Sequence, residues 1–289
     1  MDSRRPATLS GLAAIGLWAS LAVLTTATGA LPPFQLLAMT FGLAGLLGLA
    51  LLLRPGGPGL RGLRQPPAAA ALSTAALFGY HALYFIAFKR APAVEVNLIN
   101  YLWPLLIVLF AALLPGERAR AGQVLGTLLG LAAAALLLGR GSAPALDPGH
   151  LPGYAAALGA ALTWSAYSVA NRRFGAVPSD AIAGPCLLVA ALGAVIHAFS
   201  EVTVAPTAAQ WAVLAVMGLG PVGAAFWLWD RGTKRGDLPL LGTLSYAAPV
   251  LSTGLLLAAG RAEPHWSQAG ALALLLCGAT ISVRASAAR

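Results

Sequence analysis

The chain has 289 residues, of which 58% are hydrophobic before its 33 glycines are counted and only 9% are charged. Soluble domains carry about 25% charged residues, so this composition excludes a water-soluble enzyme and predicts a multi-pass membrane protein. The net charge of +9 does not indicate nucleic acid, because the 18 basic residues stand in twos and threes between apolar runs instead of forming one basic surface.

Ten apolar runs of about 17–22 residues follow one another along the chain, and each is long enough to cross a bilayer as a helix. The first run follows a short basic N-terminus without a small-residue cleavage site, which favours a retained span over a signal peptide. The sequence therefore predicts an all-α membrane protein with ten transmembrane helices, at Leu9–Thr28, Phe34–Leu53, Ala68–Phe88, Val94–Leu114, Gln123–Gly139, Gly153–Asn171, Ser179–Phe199, Ala208–Trp229, Leu238–Ala259 and Trp266–Val283.

The loop charges predict the orientation of these spans. With a cytoplasmic N-terminus, 14 of the 18 basic residues lie on the inside and only four on the outside, namely Lys89, Arg90, Arg140 and Arg261. Lys and Arg near helix ends are retained on the cytoplasmic side, and a missed helix would invert every later loop. The sequence thus predicts an inner-membrane protein of a bacterial type with both termini in the cytoplasm.

The two halves of the chain resemble each other. Trp18-Ala19-Ser20 is matched 146 positions later by the similar tripeptide Trp164-Ser165-Ala166, and four further residues recur after 145 positions. Those four pairs are Tyr101 with Tyr246, Pro104 with Pro249, Lys89 with Lys234 and Gln123 with Gln268. Because each half holds five helices, an odd number, the second half would enter the membrane inverted. We therefore predict two inverted repeats, residues 1–146 with helices 1–5 and residues 147–289 with helices 6–10.

One motif between helices 4 and 5 carries a family resemblance. It reads Gly-Glu, about five residues, Gln, two residues, Gly, and comprises Gly116-Glu117-Arg118 followed by Gln123, Gly126 and Gly130. Together with the tryptophan early in the first helix of each half, it resembles the drug/metabolite transporter superfamily, in its ten-helix form built from two EamA-type repeats. The second half departs from the motif, with Arg261-Ala262-Glu263-Pro264 where Gly-Glu is expected.

The segment from Ala93 to Pro104 resembles the aromatic amino acid exporters of that superfamily. The resemblance implies export of amino acids, aromatic ones among them, by alternating access. A drug or other metabolite carrier of the same fold is an alternative, and a membrane enzyme or scaffold is another. An enzyme would need paired carboxylates, a metal cluster or a nucleophile with its base, and the sequence has none. No cofactor is expected. Expected partners are a small-molecule substrate and the lipid bilayer but no nucleic acid; the sequence leaves the oligomeric state open and is compatible with a monomer.

Polar and aromatic side chains recur at helical spacing inside four spans, helices 3, 4, 6 and 9, where they are costly unless they face a cavity or another helix. Helix 4 places Asn97, Asn100, Tyr101 and Pro104 on one face, and helix 6 does so with Trp164, Tyr167, Ser168 and Asn171. Packing between helices is the alternative for each face. Tyr101 and Trp103 lie about 200° apart, and either could reach the cavity. We predict a substrate cavity lined by Tyr80, His81, Tyr84, Asn100, Tyr101, Trp103, Trp164, Tyr167 and Tyr246.

Residues near span ends are expected to face the headgroups or water. The tryptophans placed in the interfacial belt are Trp211, Trp227, Trp229 and Trp266. His197 is expected to be solvated at an outer span end. All nine acidic residues fall in termini, loops or span ends, which leaves His81 as the titratable group inside a helix and predicts facilitated transport. Glu95 and Asp230, at span ends, are the two acidic residues that could contradict this prediction, since a kinked helix could carry either one into the membrane.

The string Gly218-Leu219-Gly220-Pro221-Val222-Gly223 matches a dinucleotide-binding fingerprint by letters alone. That fingerprint requires a strand, a turn and a helix, whereas this segment lies within an apolar span. Close helix packing with a kink at Pro221 is the interpretation we favour.

Overall fold

The structure, a computed structural model, describes residues 4–115, 120–140, 147–258, 260 and 263–287. Within these ranges the regular elements are all helices, which confirms the predicted all-α class. The α-helices are α1 (Arg4–Trp18), α2 (Leu21–Ala27), α3 (Pro33–Leu53), α4 (Pro67–Arg90), α5 (Ala93–Asn100), α6 (Trp103–Ala111), α7 (Ala121–Leu138), α8 (Leu151–Ala170), α9 (Ala183–Ser200), α10 (Ala208–Met217), α11 (Ala225–Arg235), α12 (Leu238–Leu244), α13 (Ala247–Ala258) and α14 (Trp266–Ala287). The family motif at 116–118, the departing residues 261–262 and the predicted span end at 259 lie outside the described residues.

The described chain has the helices of a membrane protein. Eight helical segments are long and apolar enough to cross a bilayer, and Glu95–Ala111 forms a shorter apolar helix. Large apolar side chains on outward faces, such as Leu46, Leu188 and Leu276, are exposed. Such a surface suits lipid better than water, because large exposed apolar areas are rare on soluble monomers.

Three predicted spans are interrupted instead of continuous. The first breaks between α1 and α2 at Ala19–Ser20, the fourth between α5 and α6, and the ninth between α12 and α13. The continuous face predicted for helix 4 is therefore wrong beyond Asn100. In the fourth and ninth spans the physical reason is proline, which has no N–H to donate. Pro104 and Pro249 cannot bond to the carbonyls four residues earlier, and each break falls directly after such a carbonyl, at Tyr101 and at Tyr246.

The eighth span contains a π-helical turn, Gly218–Ala224, with Pro221 inside it. A methyl group added at Gly218 would lie 2.5 Å from Leu43 Cβ, so this turn packs closely on α3, as predicted for the glycine-rich string. The indole N–H of Trp18 donates to the carbonyl of Pro221 at 3.0 Å. This bond joins the break of the first span to the π-helical turn of the eighth.

The helices pack in pairs that draw one member from each half of the chain. α1 packs along α11, α3 along α9, α4 along α8 and α7 along α14. In the last pair the backbones touch, because a methyl group at Gly126 would lie 2.4 Å from the Gly278 carbonyl oxygen and one at Gly278 would lie 2.5 Å from the Gly126 oxygen. Small residues allow such close helix packing in membranes.

Candidate substrate site

Aromatic rings gather around Trp164 in the buried core of the helix bundle. Its side chain is buried, with 4% exposed, and its ring centroid lies within about 6 Å of five others. These are Tyr80 (5.5 Å), Tyr167 (5.5 Å), Trp18 (5.6 Å), Phe226 (5.9 Å) and Trp229 (6.1 Å). With Phe41, His81, Tyr84 and Trp103, which contact these rings in turn, they form what we call the ring cluster.

Helix α8 supplies the centre of the cluster in the way its spacing predicts. Trp164, Tyr167, Ser168 and Asn171 are all buried and follow the i, i+3, i+4, i+7 pattern of one helix face. The hydroxyl of Ser165, beside them, shares its single hydrogen between the carbonyls of Ala161 at 2.6 Å and Trp103 at 2.9 Å. The bond to Trp103 fixes the start of α6, and hence Trp103, against α8.

Helix α4 supplies the accessible side of the cluster. Tyr80 stacks on Tyr84 at 5.8 Å, and His81 lies edge-on to Tyr80 at 5.2 Å and to Phe41 at 5.1 Å. Unlike Trp164, the side chains at positions 80, 81 and 84 are each partly exposed. The Nδ1 atom of His81 lies 2.6 Å from the Leu77 carbonyl. Because a carbonyl only accepts, Nδ1 carries the proton and Nε2 is an acceptor in the neutral ring.

Two asparagines of α5 hold the hydroxyls of the α4 tyrosines. The side-chain NH₂ of Asn100 donates to the Tyr80 hydroxyl at 3.2 Å, and the Tyr84 hydroxyl donates to Asn97 Oδ1 at 3.1 Å. Asn100 is buried, and its Oδ1 atom has no hydrogen-bond partner among the described residues. A buried acceptor without a donor is costly, so this oxygen is suited to receive an N–H group from a ligand.

The remaining predicted residues of helices 4 and 9 do not all lie in the ring cluster. Trp103 is buried in the ring cluster, edge-on to Trp229 at 5.8 Å. Tyr101 is partly exposed and packs beside Tyr246. Tyr246 is fully buried against Gly130, outside the ring cluster, and its hydroxyl donates to the Tyr101 carbonyl at 2.8 Å. Tyr246 therefore contacts the backbone break of helix 4.

The sequence missed several rings of the cluster, and for Trp229 its prediction was wrong. Trp229 was expected in the interfacial belt, yet it is 0% exposed and stacks on Trp164 with 21° between the ring planes. Its indole N–H donates to the Ser168 hydroxyl at 3.1 Å. The reason is that the helix continues to Arg235, six residues beyond the expected end of the span. By contrast, Trp211 and Trp266 are exposed.

A charged pair lies directly beyond Trp229. Asp230, expected at a span end from which it could be carried inward, lies five residues before the end of the helical segment Ala208–Arg235 and is buried, with 2% exposed. Its Oδ2 atom lies 2.8 Å from Lys234 Nζ, and its Oδ1 atom accepts from Asn171 Nδ2 at 2.8 Å. The bundle therefore contains a buried ion pair next to its ring cluster.

A family model described as the EamA-like transporter family matches residues 5–139 and 151–284. The chain belongs to the EamA-like transporter family. The resemblance drawn from the sequence is thereby confirmed.

Two named relatives match this EamA-like transporter over almost its whole length. The aromatic amino acid exporter YddG of Ancylobacter novellus is 51% identical over 281 residues, which cover 97% of this chain and 98% of that protein. The protein of the same name from Escherichia coli is 28% identical, and the match covers 96% of this chain and 97% of that protein. A solved crystal structure of a protein 50% identical in sequence superposes with a TM-score of 0.92 over 96% of this chain and 98% of its own.

At the other end of the bundle, Glu201 caps the start of α3. Its carboxylate accepts from the backbone N–H groups of Phe34 (3.0 Å) and Gln35 (3.1 Å) and lies 2.9 Å from His197 Nδ1. Burial alone raises the pKa of this carboxyl, but the three hydrogen-bond partners outweigh it, and the pKa of Glu201 lies below its usual value. The prediction of a solvated His197 is wrong, because its side chain is 12% exposed and also contacts Thr203.

In the part of the chain that the structure describes, no group of three His, Cys, Asp or Glu side chains is placed to hold a metal ion. The chemistry available to this transporter at the site is therefore that of stacked rings, hydroxyls, amides and one buried ion pair.

Proposed function

We propose that this EamA-like transporter exports aromatic amino acids across the inner membrane by alternating access. The observation that carries the substrate class is the 51% identity, over nearly the whole chain, to a protein named as an aromatic amino acid exporter. The ring cluster supplies the matching chemistry. A ligand ring stacked on Trp or Tyr gains about 0.5–1.5 kcal/mol beyond area burial, and an ammonium group over a Trp face gains about 0.5–2 kcal/mol.

In this proposal the substrate ring binds on the accessible side of the cluster, against Tyr80, His81, Tyr84 and Tyr101. Trp103, Trp164 and Tyr167 form the buried floor beneath it. The unpartnered Oδ1 atom of Asn100 accepts from the substrate ammonium group, and Tyr246 holds the backbone of Tyr101 in place.

The proposed topology has ten spans with both termini in the cytoplasm. Eight apolar segments, the shorter helix Glu95–Ala111 and the 20-residue helix α8 supply ten crossings. The face of α8 that carries Trp164, Tyr167, Ser168 and Asn171 lowers its hydropathy, but these side chains point into the bundle and not toward lipid. The 14-to-4 distribution of basic residues supports the orientation.

The proposed halves, residues 1–146 and 147–289, are inverted repeats. Three observations support them. The family model matches the chain twice, once in each half. Helix breaks occur at the matched residues Tyr101 and Tyr246, and the second donates a hydrogen bond to the carbonyl of the first. The matched Gln123 and Gln268 each accept, at the start of their helix, from the backbone N–H three residues earlier.

We propose facilitated transport, driven by the substrate's own gradient. The imidazole of His81 contacts the rings of Phe41, Tyr80 and Phe226, and its Nδ1 atom is bonded to its own helix. The carboxylate of Asp230 is paired with Lys234. Both groups therefore already have partners within the protein, and we assign neither of them a role in binding a coupling proton.

The test is counterflow of labelled phenylalanine and labelled leucine in proteoliposomes, with and without an imposed pH gradient. Trp164→Ala and Tyr101→Ala should slow phenylalanine more than leucine, whereas Trp266→Ala, at an exposed position, should leave both unchanged. Equal losses for both amino acids would contradict an aromatic site. Uphill accumulation driven by protons would contradict facilitation, and flux of aromatic cations without amino acids would favour the drug carrier.

A further inference from the structure

The buried pair of Asp230 and Lys234 is not used by the ring cluster. Asp230 follows Trp229 directly, so the pair begins where the cluster ends, at the end of the bundle that the loop charges assign to the cytoplasm. Its side chains are only 3% and 6% exposed and their charged atoms lie 2.8 Å apart. Ionisable residues inside a membrane-spanning segment are rare and commonly mark a substrate pathway.

Each member of the pair is also held by a second partner. Asn171 Nδ2 donates to Asp230 Oδ1 at 2.8 Å and to the Thr233 hydroxyl oxygen at 3.2 Å. Lys234 Nζ donates to the carbonyl of Val177 at 3.1 Å. If the pair separates, both charged groups therefore keep an anchor that fixes their positions. The Oδ2 atom of Asp230 accepts no hydrogen bond besides its contact with Lys234 in the described chain, so it is the atom open to exchange.

We propose that Asp230 and Lys234 form a cytoplasmic entry site for the charged ends of a zwitterionic α-amino acid, an inference that rests on the proposed export of amino acids. When the cytoplasmic end opens, the substrate ammonium replaces Lys234 at Asp230 Oδ2, and the substrate carboxylate replaces Asp230 at Lys234 Nζ. No proton moves and no charge is created, because two ion pairs replace one pair and a hydrated zwitterion. The substrate ring then faces Trp229 and Trp164.

The exchange explains why both charges of the substrate would matter. Opening the pair in an apolar surrounding leaves two buried charges without partners, which is strongly unfavourable. A zwitterion satisfies both charges at once. Phenethylamine, which has only the ammonium, leaves Lys234 unsatisfied, and 3-phenylpropionate, which has only the carboxylate, leaves Asp230 unsatisfied.

The experiment measures the three ligands against the wild-type chain and two single variants. Half-saturating concentrations come from competition with labelled phenylalanine in inside-out vesicles, where the cytoplasmic face is accessible. Ligand-induced thermal stabilisation of the purified protein gives the same ranking for a variant that does not transport. The wild type should prefer phenylalanine over either analogue by about tenfold or more, as sites with buried polar partners do.

Each single variant should remove the preference for phenylalanine over one analogue and keep the preference over the other. Lys234→Gln should abolish the preference over phenethylamine and keep the preference over 3-phenylpropionate. Asp230→Asn should do the reverse. Arg235→Gln, which removes an exposed charge from the same helix, is the matched control and should change neither. Where a single variant fails to fold, the double variant Asp230→Asn/Lys234→Gln leaves no charge unpaired and should bind all three ligands within about threefold.

A purely structural ion pair gives a different result. Both single variants would then shift the three ligands by the same factor, and that outcome overturns the proposal, as does a wild type without a preference for phenylalanine over the analogues. Failure of the proposed function is distinct from both, because no aromatic amino acid would then be transported by the wild type at all.

Discussion

Replacing Trp229 by alanine separates the observed position of this residue from the one its sequence suggests. The fully buried indole contacts the rings of Trp18 at 5.1 Å, Trp103 at 5.8 Å and Trp164 at 6.1 Å, and it donates to Ser168. Removing a buried Trp typically costs about 3–5 kcal/mol. The matched change of a 50% exposed tryptophan, Trp211→Ala, should stay within about 0.5 kcal/mol.

Thermal unfolding in detergent measures the difference. One kcal/mol shifts the melting temperature by about 2–4 °C in chains of this order of size, so Trp229→Ala should lower it by roughly 6–20 °C and Trp211→Ala by about 2 °C or less. Trp229→Phe keeps a ring but loses the hydrogen bond to Ser168, and should fall between them. Equal shifts of the melting temperature for the two alanine variants would refute the buried position of Trp229 and favour a place in the interfacial belt.

Three further predictions concern other parts of the bundle. Gly126→Ala should destabilise the α7–α14 pair by about 1–3 kcal/mol in the same melting assay, whereas Gly254→Ala, with open space at its Cβ position, should be neutral or slightly stabilising; equal effects would contradict backbone contact. Because the folded-state pKa of Glu201 is lowered, the stabilisation by its carboxylate should be complete above the usual carboxyl pKa and be lost as pH falls through the folded-state pKa. The melting temperature of Glu201→Gln should therefore change less with pH in the acidic range than that of the wild type. Equal pH dependence in both proteins would contradict the capping role of Glu201. Single cysteines at Leu60 and Val202, both exposed, should be labelled only from the cytoplasmic and only from the outer side, respectively, by impermeant reagents; the reverse pattern would refute the topology.

The faces of the site were predictable where a helix is continuous. In α8 the 3.6-residue period alone places Trp164, Tyr167, Ser168 and Asn171 together, and the structure buries all four. In helix 4 the same reasoning holds as far as Asn100 and then fails at the break. Pro104 was a visible signal for that break, since a proline cannot donate to the carbonyl four residues earlier.

The rings missed by the sequence belong to α1, to α3 and to the eighth span. A π-helical turn changes the angular phase of every residue after it, so a 3.6-residue wheel drawn through Pro221 cannot place Phe226 or Trp229. Trp229 also precedes two charged residues, a pattern typical of a span end. The spacing of Asp230 and Lys234, four residues apart with opposite charges, was the remaining signal that the helix continues.

The breaks at Tyr101 and Tyr246 match between the proposed repeats, but two other helix irregularities do not. The break after Trp18 has its counterpart in the continuous helix α8, and the π-helical turn at Pro221 has its counterpart in the continuous helix α4. If the halves exchange shapes during transport, identical halves would make the two facing states equal in free energy, whereas these unequal halves make them differ. The empty carrier then rests facing one side, and every 1.4 kcal/mol of difference weakens apparent binding on the disfavoured side by about tenfold. A passive carrier cannot turn this bias into a direction of net flux, but its two faces should half-saturate at different substrate concentrations.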